Sequence, residues 1–100
     1  MIVEIAVYPL GTGSTSFSRE VASVVRALKE GGFEPEVGPM GTVVEAEDLE
    51  EALKAIRVAH EEAVKHADRV VLMVRIDDRR DREVTARGKV EAVKRRLQEE

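Results

Sequence analysis

Cysteine is absent from this 100-residue chain. Its absence removes disulfides, thiolate nucleophiles and zinc–thiolate centres together. Tryptophan is absent too, and one tyrosine and two phenylalanines are the only aromatics. That leaves no platform on which nucleic-acid bases would stack, and a net charge of −4 also argues against a nucleic-acid partner. No apolar run approaches the length of a bilayer, so no membrane-spanning helix is expected. Met1–Val7 contains Glu4 and reads as a strand rather than a signal core. A cytoplasmic location is the expectation. The two histidines, His60 and His66, are six residues apart on one expected helix and off a common face. They do not suggest a metal pair.

What is present fits one domain spanning residues 1–100. So short a chain buries a modest fraction of its surface, which makes oligomerisation a realistic further source of stability. Residues 2–10 alternate, with Val3, Ile5 and Val7 on one face and Glu4, Ala6 and Tyr8 on the other. Phe17, Val21, Val24, Val25 and Leu28 then recur at helical spacing over 17–30, and Gly31-Gly32 ends that helix. Residues 33–37 read as an edge strand because of Pro35. Gly38-Pro39-Met40-Gly41 reads as a tight turn, and 42–46 as the return strand. Asp48 and Glu51 form a capping box opening a helix with Leu49, Leu53, Ile56, Ala59 and Ala63 inward. Residues 69–76 are a strong strand, and a final helix carries Ala86, Val90, Val93 and Leu97 as a narrow stripe that packs on the sheet edge or on a neighbour.

The order β-α-β-β-α-β-α predicts an α+β, ferredoxin-like βαββαβ sandwich with a C-terminal helix. Right-handed crossovers give a four-stranded antiparallel sheet in the order 4-1-3-2. Two helices cover one face. The other, carrying Ala6, Tyr8, Val71 and Met73, is too apolar to stay wet, and the last strand is a long apolar edge. Both features predict a homodimer or homotetramer.

The stretch Tyr8–Ser18, YPLGTGSTSFS, joins the first strand to the first helix. A glycine-rich turn at a helix start can hold a polar or anionic group on its N–H groups. The same composition also makes a plain loop with a good helix cap. It lacks a P-loop lysine, and G-x-G alone is no dinucleotide fingerprint. The topology places it beside the 38–42 turn and puts Asp77 and Asp78 at the opposite end of the sheet. An acidic group would then reach the loop only from a second subunit. Glu45 on a central strand needs a partner, for which Arg75 is a candidate. The carboxylates of Asp77 and Asp78 point to opposite faces and read more readily as ion-pair partners of Arg79, Arg80 and Arg82 than as a cation site.

Three segments in this order, YPLGTGSTS (8–16), GPMGTVVE (38–45) and IDDRRD (76–81), resemble the YkoF-like thiamine-binding proteins. The resemblance covers nearly the whole chain. It implies a ferredoxin-like fold, oligomers built through the sheets, and non-catalytic binding of thiamine or its hydroxymethylpyrimidine part as a ligand rather than a cofactor. On that reading Thr12, Ser14, Thr15, Ser16 and Thr42 supply hydrogen bonds to the pyrimidine, and Gly13 of the same loop is a further binding residue. Glu45 or Asp77 faces the thiazolium cation, and Met40 and Tyr8 form an apolar wall. No nucleophile–base pair or metal cluster stands out that would make the chain an enzyme. The alternative is a structural or regulatory homo-oligomer whose Gly/Ser/Thr loop binds an anion or a protein.

Overall fold

Ile2–Leu10 forms strand β1, and its alternation buries Val3, Ile5, Val7 and Pro9 on one face. The structure is a computed structural model, described here for residues 1–99. Helix α1 (Ser18–Glu30) follows. It ends because Gly32 adopts φ +93°, a conformation glycine reaches without strain. The Gly32 N–H then donates to the Lys29 carbonyl and the Phe33 N–H to the Leu28 carbonyl, at 3.1 and 3.0 Å. That pair of bonds is a Schellman motif, and buried Phe33 and Leu28 share its core contact. Lys54 adds its charge at the same helix end, donating to the Gly31 carbonyl at 3.3 Å.

This cap shortens the next strand. Residues 33–37 were expected to be extended and paired, but β2 is only Glu36–Val37. The Phe33 N–H is committed to the helix end and Pro35 has none to give. β3 (Thr42–Glu45) returns antiparallel to it. Helix α2 (Leu49–Ala63) starts at Asp48, whose side chain accepts from the Glu51 N–H at 2.9 Å. Glu51 reaches back to the Glu47 N–H, one residue before the position a capping box uses.

The inward face of α2 is Ala52, Ala55, Ala59 and Ala63, each fully buried. Leu49 and Leu53, expected inward, are 53% and 50% exposed. Alanines let the helix lie close to the sheet and to α1, so the leucines fall to the side of the contact. Ser23 of α1 donates to Glu62 of α2 at 3.2 Å, joining the two helices. Lys65, His66 and Ser23 all bond the Glu62 carboxylate, and Lys65 foremost holds its pKa below the ordinary 4.5 against the opposing effect of burial.

A carboxyl whose pKa is lowered by folding stabilises the fold above its unfolded pKa and stops doing so as pH falls through the folded value. The wild type is therefore expected to lose more melting temperature than Glu62→Gln on acidification from neutrality to about pH 3. Equal losses in thermal melts across that range would contradict the role given to Glu62.

β4 (Arg69–Asp77) pairs antiparallel with β1 along its full length, from Ile2–Asp77 to Leu10–Arg69. The sheet order is β2-β3-β1-β4, the expected 4-1-3-2 read from the other side, in a ferredoxin-like βαββαβ arrangement. The helices cover the face of Val3, Ile5, Val7 and Val44. The opposite face carries Ala6 across from Met73 and Tyr8 across from Val71, with Met73 60% exposed. Arg75 on this face pairs with Glu4 across the strands, its Nε 3.0 Å from Oε1, and not with Glu45 as the sequence suggested.

Helix α3 (Ala86–Gln98) begins with Thr85 as its cap. It buries none of its own residues. Its stripe of Val90, Val93 and Leu97 therefore does not pack on the sheet edge of its own chain.

Candidate functional site

β3 pairs with β1 only from Ile2 to Ile5, whereas β4 continues to Leu10. The upper half of β1 thus has a strand on one side and none on the other. α1 begins beside this bare edge, and the 38–41 turn stands across from it. The three elements enclose a cavity of about 360 Å³.

Its walls come from Ile5–Tyr8 of β1, from Phe17, Ser18, Val21 and Val24 at the start of α1, and from Gly38–Thr42. Tyr8 and Phe17 meet edge to face, with ring centroids 6.2 Å apart and planes at 85°, a favourable aromatic geometry. The turn closes by donation from the Gly38 N–H to the Gly41 carbonyl at 2.8 Å. Gly41 is packed against Glu4, so a Cβ there would lie 3.0 Å from the Glu4 side chain. Met40 at the turn tip is 78% exposed, while Thr42 is buried.

The residues singled out from sequence divide into three groups. Tyr8, Met40 and Thr42 line the cavity together. Thr12, Gly13, Ser14, Thr15 and Ser16 lie in the loop joining two of the lining elements but not in the lining. The hydroxyls of Thr12, Ser14 and Ser16 serve the loop itself. The Ser14 N–H donates to the Thr12 hydroxyl at 3.4 Å, the Ser16 N–H to the Ser14 hydroxyl at 3.1 Å, and the Ser16 and Ser18 hydroxyls are 3.1 Å apart. Such bonds are the ordinary way a hydroxyl-rich turn holds its shape. Gly11 and Gly13 supply the positive φ values, +76° and +79°. The N-cap of α1 is Phe17, which has no capping oxygen, so the loop is not the good helix cap its composition suggested.

Glu45 and Asp77 form the third group, at the far end of the sheet beside Ile2. Glu45 is exposed rather than a buried charge. It accepts from the Ala86 N–H at 2.7 Å, holding the start of α3. Asp77 pairs with Lys89 of α3. Asp78 pairs with Arg80 at 2.9 Å, and Arg79 with Asp81; the hydrogen bond from Arg79 keeps the Asp81 carboxyl below its ordinary pKa. Glu45, Asp78, Arg79, Arg80 and Asp81 border a wider polar hollow of about 1330 Å³ beneath residues 78–87. Among the described residues no group of three or more His, Asp or Glu side chains is arranged to hold a metal ion. No described helix is long and apolar enough to cross a membrane.

Sequence reasoning assigned Phe17, Val21 and Val24 to a core stripe and so missed them as cavity walls. The stripe is real, but its first turn overhangs the bare half of β1. The signal was the mismatch between a nine-residue β1 and a four-residue β3.

Comparison with known proteins agrees with this fold. A UPF0045 protein of Methanothermobacter thermautotrophicus is 47% identical over 95 residues, covering 94% of this chain and 96% of the relative. A crystal structure of a hypothetical protein from Methanocaldococcus jannaschii superposes with a TM-score of 0.82 at 36% identity, covering 93% of this chain and 94% of the other. A Thermotoga maritima protein assigned provisionally to thiamine biosynthesis or salvage gives a TM-score of 0.77 at 25% identity, over 92% of this chain and 96% of the other. The profile of the thiamine-binding proteins matches residues 3–94, and the chain belongs to that family.

Proposed function

We propose that this chain is a non-catalytic binding protein for thiamine or its hydroxymethylpyrimidine part, acting in the cytoplasm. The observation that carries the reading is the cavity between β1, α1 and the 38–41 turn. Its walls are mostly apolar, with an aromatic pair and three hydroxyl-bearing residues, Tyr8, Ser18 and Thr42. Small-molecule sites are commonly built this way, from apolar walls and a few placed polar groups. Tyr8, Met40 and Thr42 are its contact residues.

The site lies at or near a subunit interface. Tyr8 and Ala6 belong both to the cavity and to the open sheet face, which continues into Val71 and Met73. That face and the unpaired edge of β4 support a homodimer or homotetramer. Thr12, Gly13, Ser14, Thr15 and Ser16, in the loop joining two lining elements, are further contacts from the same chain, while Glu45 and Asp77 join the site only if assembly brings them from a second copy.

Titration calorimetry with thiamine, its phosphates and hydroxymethylpyrimidine tests the reading. Saturable heat with at least one of them, at one ligand per chain and without turnover, is the expected result. Absence of heat with all of them sinks the proposal.

A further inference from the structure

Helix α3 is tied to its own chain only at its first turn. Among the described residues its polar contacts with the other elements are two. The Ala86 N–H donates to Glu45 at 2.7 Å, and Lys89 pairs with Asp77. Beyond that turn the helix stands clear of the body, and Val90, Val93 and Leu97 are each more than half exposed. At about 3.6 residues per turn, Arg87 and Lys94 fall on one flank of this stripe and Lys89 and Arg96 on the other. Basic side chains thus border the stripe on both sides, and their stems widen its apolar surface. α3 carries five basic residues and one acidic one. The whole chain has a net charge of −4, so the remainder is strongly acidic.

Strand register fixes what the open sheet face offers. Ile2 stands opposite both Glu45 and Asp77, which places the two carboxylates on the face of Ala6 and Tyr8. Glu36 joins them there, opposite Val43, which is itself opposite Glu4. Apolar Ala6, Tyr8, Val71 and Met73 occupy the other end of this face. An apolar patch with an acidic end is the complement of an apolar stripe with basic flanks, and a single chain leaves both uncovered. α3 is about 20 Å long, enough to cross four strands lying about 4.8 Å apart. We infer that α3 is an exchanged arm: in a two-fold pair of chains, each α3 lays its stripe of Val90, Val93 and Leu97 on the open sheet face of the other copy. Reciprocal exchange closes the assembly, as an isologous contact does. An anionic membrane also takes basic amphipathic helices, but it would repel the acidic remainder of the same chain. The inference rests on the homo-oligomer reading above and adds which element makes the contact. It also bears on the cavity, because Ala6 and Tyr8 belong to its wall as well as to the open face, and the arriving arm backs that wall.

The test compares the full chain with Val93→Glu by sedimentation. Because α3 buries none of its residues, the variant keeps its fold, shown by a cooperative melt. The wild type is expected to be an assembly, and the mass of Val93→Glu to fall at least about twofold. The chain has no cysteine, so Arg95→Cys, on the side of α3 away from the stripe, carries a single spin label. Mixed with unlabelled, isotope-enriched chains, the labelled chains are expected to broaden the amide signals of residues 6, 8, 71 and 73 in the enriched ones. An unchanged mass in Val93→Glu, or no broadening at those positions in an assembled sample, overturns the inference and leaves an oligomer held by other surfaces. Wild-type binding to phosphatidylserine vesicles that Val93→Glu loses without a change in mass overturns it in favour of a lipid surface. A monomeric wild type removes both the inference and the homo-oligomer reading, while the calorimetric test of ligand binding stands apart.

Discussion

Leu28→Ala is expected to cost the fold about 3 kcal/mol, within the range found when a buried leucine is truncated. Leu28 is fully buried and lies in the cluster with Val3, Ile5, Val24, Phe33 and the alanines of α2. Removing its side chain deletes apolar burial and leaves a hole that a tightly approached alanine face is poorly placed to fill. Its carbonyl also closes the Schellman motif that turns the chain towards β2. Truncation leaves that carbonyl in place but removes the apolar side chain that shares the buried cluster with Phe33. For a domain of this size the loss corresponds to a fall of roughly 12–24 °C in Tm. Urea unfolding of both chains checks it. A loss under about 1 kcal/mol would mean that the helices close over the gap and that the core is less constrained than its burial indicates.

Much of this architecture was legible in the residues. The period of two in β1 and β4 and the helical stripe of α1 gave those elements directly. Short connections and right-handed crossovers then sufficed for the sheet order. Asp48 announced the start of α2 through its chemistry. Other features depended on competition between neighbours. The Phe33 N–H could serve a strand or a helix end, and the glycine at φ +93° decided for the helix end. On α2 the larger side chains suggested the buried face, yet close approach favoured the alanines beside them. The partner of Arg75 depended on strand register, which sets Glu4 opposite it and leaves Glu45 opposite Ile2.

The site was legible in part for a related reason. Turn chemistry drew attention to 11–16, where hydroxyls and glycines are densest, but the hydroxyls of Thr12, Ser14 and Ser16 are taken up in holding the loop's own shape. The cavity instead follows from unequal strand lengths, a property of pairing rather than of any one motif. Tyr8, Met40 and Thr42 were singled out through the family resemblance of the 8–16 and 38–45 segments, and all three line the cavity. Phe17 and Val21 looked like ordinary core positions, since a helix's first turn can serve a core and a cavity with the same apolar residues.

Val21 offers a direct way to ask whether the cavity binds the ligand. It lines the cavity from α1 and is only partly buried, so a larger side chain there projects into the space and not into the packed core. Val21→Trp should occupy much of about 360 Å³. A ligand that needs the room beside Tyr8 and Thr42 would then have to displace the indole or bind elsewhere. Binding should weaken at least about 100-fold, equivalent to roughly 2.7 kcal/mol. The folded state should persist, shown by a cooperative melt and an unchanged oligomeric state. The deciding measurement is a calorimetric titration of the wild type and Val21→Trp with hydroxymethylpyrimidine under the same conditions. Saturable heat in the wild type and its loss in the folded variant is the predicted result. Equal affinity in the two chains would contradict the placement of the ligand between β1, α1 and the 38–41 turn.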